Sequence, residues 1–402
     1  MRAPADIVLT DFDHHSAKFA ARPFEVLEEL RDAAPVAWST AHGGFWVVTD
    51  HGNVVQGLAD YATFSSTAGP AIPANPFGTR HIPVAFDPPL HALYRKVLNE
   101  WYSKAEISRR EPEIKAMVAE IVTGLRERGS WDFVSDLANV SPGAVTLGIL
   151  GWDAGQRLEL LDVMTQSLRN QANSDPDVQR QNAERSAWFR EQILREANDR
   201  RANRRDDLMS VLANDPVVGG QPLTDEELAD MVVLLILAGF HTTSGAFTAL
   251  MVHLAEHPEA KQRLDRDRSL IPHAIEEIVR IYSPATAHAR TVTRDTELGG
   301  VAMKKGDWTL FVNMAANHDP DAFPDPERVD LDRNRAKSVA FGWGVHRCLG
   351  LHLARLILRL EVEAVLDLLP GYRIDLDAAV RSDHMGLGYF YLSVPASIPQ
   401  GS

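Results

Sequence analysis

Between Thr224 and Pro258 the chain carries a helical pattern too long and too apolar to lie on a surface. The tetrad "TDEE" opens it as a capping box, with Thr224 capping the first turn and Glu227, three residues on, reaching back. Pro258 stops it after His257. About 33 residues at 1.5 Å each are enough to cross a whole domain. The first half is apolar on nearly every face, so this helix must be enclosed. Its longest unbroken apolar run, "MVVLLILAGF" at 231–240, is only about half a bilayer span. Protein, not lipid, is expected around it. The surrounding composition is rich in Ala, Leu, Glu and Arg, which favours further helices. The expected class is mainly α with a small β part.

The rest of the chain supplies candidates for that enclosure. "RPFEVLEELRDAAP" (22–35) has helical spacing, and "GFWVVTD" (44–50) reads as a strand leading into a helix at His51. Residues 69–89, "GPAIPANPFGTRHIPVAFDPP", have no periodicity; an ordered loop of this length is usually functional. "LHALYRKVLNEWY" (90–102) resumes helix, and four or five helices are expected from about 111 to 213. After 290, "RTVTRDTELGGVAMKKGDWTLFVN" alternates between turns and predicts a small sheet. "HDPDAFPDPERVDLDR" (318–333) predicts irregular coil, and a helix is expected from 349 to about 369. No composition break marks a linker, so residues 1–402 are expected to form one domain.

A net charge of −14 argues against nucleic acid as the main partner. The N-terminus has no apolar secretory region, which points to a cytoplasmic protein with no membrane partner. The single cysteine excludes an internal disulfide and fits a reducing compartment. That cysteine sits in "FGWGVHRCLG" (341–350). Most free cysteines are small buried hydrophobes, but this one is surrounded by glycines. Gly342 and Gly344 allow close approach to something flat, and Gly350 lets the next helix begin against the same object. Backbone N–H groups after Cys348, the helix dipole and Arg347 would stabilise a thiolate. One thiolate without further sulfur ligands suits an axial bond to haem iron better than zinc or an iron–sulfur cluster.

"FGWGVHRCLGLHLAR" resembles the haem-binding loop of the cytochrome P-450 superfamily, F-G-x-G-x-H-x-C-x-G-x-x-L-A-R, at every fixed position. The resemblance implies a triangular helix-rich prism, with haem b between the long central helix and the cysteine-loop helix, and Cys348 as the metal ligand. Phe341, Gly342 and Gly350 would be its neighbours. "EEIVR" matches the family's E-x-x-R, so Glu277 and Arg280 would brace the loop together with a second arginine. Arg328 of "PERV" is the first choice for it and Arg333 the second. "DPPLHALYR" matches a segment in which His91 and Arg95 pair with haem propionates, and Arg290 and His346 match two further propionate ligands. In "LAGFHTTSG" (237–245), Ala238 and Gly239 would leave room beside the iron. Thr242 would direct protons to dioxygen. A carboxylate is usual where this chain has His241, and the histidine either relays protons or packs.

The implied activity is a bacterial-type soluble monooxygenase using O₂ and two electrons. The electrons would come through a separate ferredoxin and an NAD(P)H-fed ferredoxin reductase, because no such module fits in this length. Arg95, Lys96 and Lys104, with Arg347, Arg355 and Arg359, form the expected docking patch. Substrate contacts are expected from Ile72, Phe77, Val84, Leu234, Leu237, Thr286, Ala287 and Leu387. Their mixed polarity points to a secondary metabolite, and the enzyme is expected to be monomeric. Two alternatives carry different outcomes: oxidative C–C or C–N coupling without oxygen insertion, and haem binding without catalysis.

Overall fold

A computed structural model describes residues 7–73, 80–169, 175–334, 337–386 and 388–399. Its axis is the helix Asp225–Glu256. The capping box forms as the sequence predicts: Thr224 Oγ1 accepts the Glu227 N–H at 3.2 Å, and Glu227 Oε2 accepts the Thr224 N–H at 2.9 Å. This helix is long and apolar enough to span a membrane by composition, but it runs through the protein core. It packs on Val140–Leu150, Pro176–Ala202, Ile271–Tyr282 and the post-cysteine helix Leu351–Leu368. The last of these also lies along Lys104–Arg128.

Lys104–Arg128 starts about seven residues earlier than expected from the sequence. Ser103 caps it, its Oγ accepting the Glu106 N–H at 3.2 Å. Pro112 lies inside it. Packing along the post-cysteine helix offsets the hydrogen bond that proline cannot donate. Four further α-helices, Val140–Leu150, Ala154–Arg169, Pro176–Ala202 and Leu208–Asn214, follow among the described residues, which makes five where four or five were expected.

The β part is dominated by a six-stranded sheet in the order Leu9–Thr10, Val36–Ser39, Phe45–Val48, Trp308–Phe311, His288–Val292 and Phe64–Ser65. Phe45–Val48 is buried on both faces, which explains its lack of alternation. The strand His288–Val292 pairs antiparallel with Trp308–Phe311 and brings Arg290 to the sheet's functional end.

A fully buried ion cluster holds the coil after the sheet. Glu277 accepts Arg280 Nε at 2.9 Å and Nη2 at 3.0 Å, the Asp330 N–H at 3.0 Å and Arg333 Nε at 3.0 Å. Burial alone would raise the Glu277 pKa; the bonds from Arg280, the Asp330 N–H and Arg333 hold it below its usual value. The second arginine of the cluster is therefore Arg333, not Arg328. Arg328 is exposed and contributes only its carbonyl, which accepts from both Arg280 and Arg333. Arg333→Ala is expected to cost about 3–5 kcal/mol, because it strips a partner from a buried charge. Arg328→Ala should change stability by no more than about 0.5 kcal/mol. Urea titration of the two variants checks the assignment.

Candidate active site

The cysteine loop is shaped by its own backbone. The Gly342 N–H donates to Val339 O at 2.8 Å, and the Cys348 N–H donates to Phe341 O at 2.8 Å. Gly342 and Gly344 have φ of 70° and 69°, the left-handed region that favours glycine. Their surroundings differ. A Cβ on Gly344 would lie 2.6 Å from Leu58 O, so this glycine fits the loop against the end of the helix His51–Ala59. The expectation that it serves a bound flat group is corrected. A Cβ on Gly342 would find no protein atom nearer than 3.7 Å, and one on Gly350 none within 4 Å. Burial pushes the Cys348 thiol up in pKa, opposed by the Gly350 N–H and by Arg95, Arg355 and Arg347.

Five basic side chains gather beside this loop. The rings of His91 and His346 lie 4.3 Å apart. His346 Nε2 is 3.2 Å from Ser66 Oγ and 3.8 Å from Asp87 Oδ1, while its Nδ1 is buried without a partner. Arg95 Nη1 donates to Arg347 O at 3.0 Å. Arg290 is buried, and its Nη1 donates to the adjacent Ala289 O at 2.7 Å. Burial lowers its pKa to about 10, with only Asp87 acting the other way. His346 falls to about 2, first by burial and then through Arg290 and His91. His91 falls to about 4, by burial and then Arg95.

The fifth base, His288, was not found from motifs. Burial, then Arg290, lowers its pKa to about 3. Strand alternation was the available signal, since His288 and Arg290 are two residues apart and share a face. Two arginines and three histidines thus gather here, and Asp87 is the carboxylate that acts on His91, Arg290 and His346. A buried set of this kind calls for anionic acceptors. These residues fit a flat group that carries two carboxylates and takes one axial thiolate, as haem b does.

On the other side, the central helix presents a stripe that the protein covers only partly. Leu234, Leu237, His241 and Thr242 are half-buried and Ala238 is exposed, whereas Leu235, Ile236, Phe240 and Thr243 are buried. Gly239 does not belong to that stripe. A Cβ there would lie 2.7 Å from Thr146 Oγ1, so the glycine lets the central helix pack on Val140–Leu150. Thr242 Oγ1 donates to Ala238 O at 2.9 Å, a bond back to its own helix. The His241 ring stands edge-on to Phe240 at 4.9 Å and lies 5.8 Å from Phe390. Its Nε2 is buried without a partner, and burial lowers its pKa to about 4.

Two contacts join segments expected to line the pocket. The Ala289 N–H donates to Pro70 O at 2.9 Å, and a Cβ on Gly245 would lie 2.7 Å from Tyr389 O. Ile72 and Thr286 are buried there, with Val84 and Ala287 half-buried. Phe77 and Leu387 lie outside the described residues. On the far side of the cysteine loop a cavity of about 700 Å³ is lined by Phe341, Lys104, Arg347, His352, Arg355 and Arg359, among others. Lys96 is not part of that lining, and Arg95 turns toward the loop backbone.

A helix-rich body with a small sheet, a thiol loop and an edge crowded with arginine and histidine fits a haem-thiolate protein. The cytochrome P450 family profile matches residues 151–369. The chain is 33% identical over 344 residues to a "Steroid C26-monooxygenase" of Mycolicibacterium smegmatis, covering 84% of this chain and 83% of that one. It is 31% identical over 327 residues to "Cyclomarin C epoxidase CymV" of Salinispora arenicola, covering 80% and 82%. A Mycobacterium marinum cytochrome P450, CYP268A2, solved in complex with pseudoionone, superposes with a TM-score of 0.89 at 28% identity over 99% of this chain and 100% of that one. The chain belongs to the cytochrome P450 family and is an oxidoreductase of the monooxygenase class, with haem b on a cysteine thiolate and O₂ as co-substrate.

The setting of His241 has a measurable consequence. With its pKa lowered, it is neutral in the folded chain. Below about pH 6.5 the unfolded chain takes up a proton that the folded chain refuses until about pH 4. Stability from this residue is therefore present above pH 6.5 and lost as pH falls, by up to about 1.4 kcal/mol per pH unit. His241→Phe should flatten this part of the acid limb in denaturant titrations between pH 4 and 7. It should leave the pH profile of turnover between 6.5 and 8 unchanged.

Proposed function

We propose that this enzyme inserts an oxygen atom from O₂ into a multi-ring or macrocyclic secondary metabolite, using two electrons delivered by a ferredoxin and its NAD(P)H-fed reductase. The observation that carries the reading is the convergence of five bases and one cysteine on a single loop. Cys348 would ligate the haem iron, and His91, Arg95, His288, Arg290 and His346 would hold its propionates. The bound haem supplies the oxygen-activating chemistry. The remaining steps fall to the chain's own residues. The partly covered stripe Leu234, Leu237 and Ala238, with Ile72, Val84, Thr286 and Ala287, binds the substrate and keeps water away. Thr242 Oγ1, on leaving Ala238 O, holds and passes the proton needed at the reacting dioxygen. His241, neutral and packed between aromatic rings, orients the helix there and does not relay protons.

The names of the relatives favour bulky ring systems: a steroid in one case and cyclomarin C in another. Both describe oxygen insertion, by hydroxylation-type or epoxidation chemistry, so they favour insertion over oxidative coupling. The electron donor is assigned to the cavity behind Cys348. Arg355 is paired there with Glu276 at 2.6 Å, and Arg359 with Glu111 at 2.6 Å. Lys104 and Arg347 are left as the steering charges for an acidic donor in a cytoplasmic, monomeric enzyme.

Three measurements test this reading. The reduced, CO-bound enzyme should show the long-wavelength Soret band of thiolate ligation, and Cys348→His should abolish it; a band that survives refutes the ligand assignment. Lys104→Glu with Arg347→Glu should slow the first electron from an acidic ferredoxin by about tenfold, and the parent rate should fall as salt rises. Thr242→Ala should keep substrate binding but divert reduced oxygen to peroxide, lowering product per NADH by about 10- to 100-fold.

A further inference from the structure

A second carboxylate, Asp230, has no part in the chemistry above and an unusual place. It lies in the second turn of the central helix, inside the apolar stretch that begins the core, and is only 4% exposed. The helix has no electrostatic need of it, because its first turn already holds Asp225, Glu226 and Glu227. Desolvating a carboxylate costs several kcal/mol unless it is well paired. Asp230 is paired twice, by donors from two separate parts of the fold. Its Oδ1 accepts Arg190 Nη1 at 2.5 Å, from the helix Pro176–Ala202. Its Oδ2 accepts the backbone N–H of Arg80 at 3.1 Å, from the proline-rich loop.

The loop that Asp230 grips leads to the cofactor edge. The Arg80 guanidinium lies 4.0 Å above the Phe86 ring, and Phe86 lies 5.2 Å from Tyr94. Tyr94 shares its helix, Leu90–Trp101, with His91 and Arg95, and its hydroxyl donates to Glu227 Oε1 at 3.0 Å, one turn before Asp230. Val84, assigned above to substrate, lies between Arg80 and Phe86. His81, beside Asp230, is the neighbouring titratable group on this loop, and its pKa is lowered, first by burial. Lifting the segment 80–86 would strip Oδ2 of its donor and bring water to a buried carboxylate. Arg190, about one-third exposed, can turn to solvent when the clasp is broken.

We infer that Asp230 is a positioning residue: by gripping Arg190 and the Arg80 backbone together, it couples the helix Pro176–Ala202 to the loop 80–86 and sets how long a molecule stays in the substrate cavity. Asp230 itself touches no substrate. This rests on the haem-thiolate reading, since the cavity it closes is the one above the cofactor.

The test uses the holoenzyme and 4-phenylimidazole, whose nitrogen ligates haem iron whatever the native substrate. Its dissociation is followed by stopped-flow absorbance in the parent, Asp230→Ala, Asp230→Asn, Arg190→Ala and the Asp230→Ala/Arg190→Ala double variant. Asp230→Ala and Arg190→Ala should each speed dissociation by about tenfold. Association should also speed up, so that the equilibrium Kd moves by less than about threefold. The double variant should be no faster than Asp230→Ala, because both changes break one clasp. Asp230→Asn keeps an acceptor for the Arg80 N–H and should fall between; it also serves if the alanine variant folds poorly. Hydrogen exchange at the Arg80 amide should be slow in the parent and fast in Asp230→Ala. Unchanged dissociation rates alongside a lower melting temperature would make Asp230 a structural residue only. Multiplying effects in the double variant would sever the proposed coupling. If the parent itself gives no nitrogen-ligated spectrum, the haem reading fails first, and the clasp falls with it.

Discussion

Glu277 is the point on which the cofactor side of this molecule depends. Its carboxylate is sealed from solvent, and each donor that satisfies it belongs to a segment with no regular structure of its own or to the helix that carries it. Arg280 and Arg333 spend their remaining donors on main-chain carbonyls: Arg280 on Asn317, Pro326 and Arg328, and Arg333 on Pro324, Asp325 and Arg328. A proline-rich coil with few hydrogen bonds of its own is thereby fixed. The Asn317 side chain then accepts the Val339 N–H at 2.9 Å, two residues before Phe341. Rigidity passes from one buried charge into the cysteine loop through backbone contacts, and regular secondary structure plays little part in it.

This dependence explains what could be read from the sequence. The central helix announced itself through a cap, a stop and a long apolar run, all local signals. The cysteine loop did so through fixed spacing. Arg333 was less legible than Arg328, because irregular coil has no period and cannot tell two nearby arginines apart. Gly239 and Gly344 were correctly singled out, but their neighbours were not. Thr146 and Leu58 are distant in sequence, and no spacing rule links them. The start at Lys104 was missed because Pro112 inside a helix goes against local preference, which packing along the post-cysteine helix overrides. His288 was legible in principle, but only after Arg290 had been placed on a strand.

The two faces of the cofactor site differ in how charge is handled. Behind Cys348 the arginines are largely paired with Glu276, Glu111 and Glu363, so the face is polar but nearly balanced. At the propionate edge the bases outnumber their one carboxylate, and desolvation depresses every one of their pKa values that shifts. The proposed electron donor would meet a face whose charges are already largely paired. The proposed haem carboxylates would meet an edge where bases outnumber acids.

That edge gives the cell a lever over abundance. A ligand that binds only the folded chain stabilises it by mass action, about 2.7 kcal/mol when free ligand is a hundred times its Kd. Five crowded bases make the cofactor-free fold the weaker partner in that equilibrium, and proteases act on whatever fraction opens. A chain made without its cofactor would forgo that stabilisation and expose a larger open fraction to proteolysis.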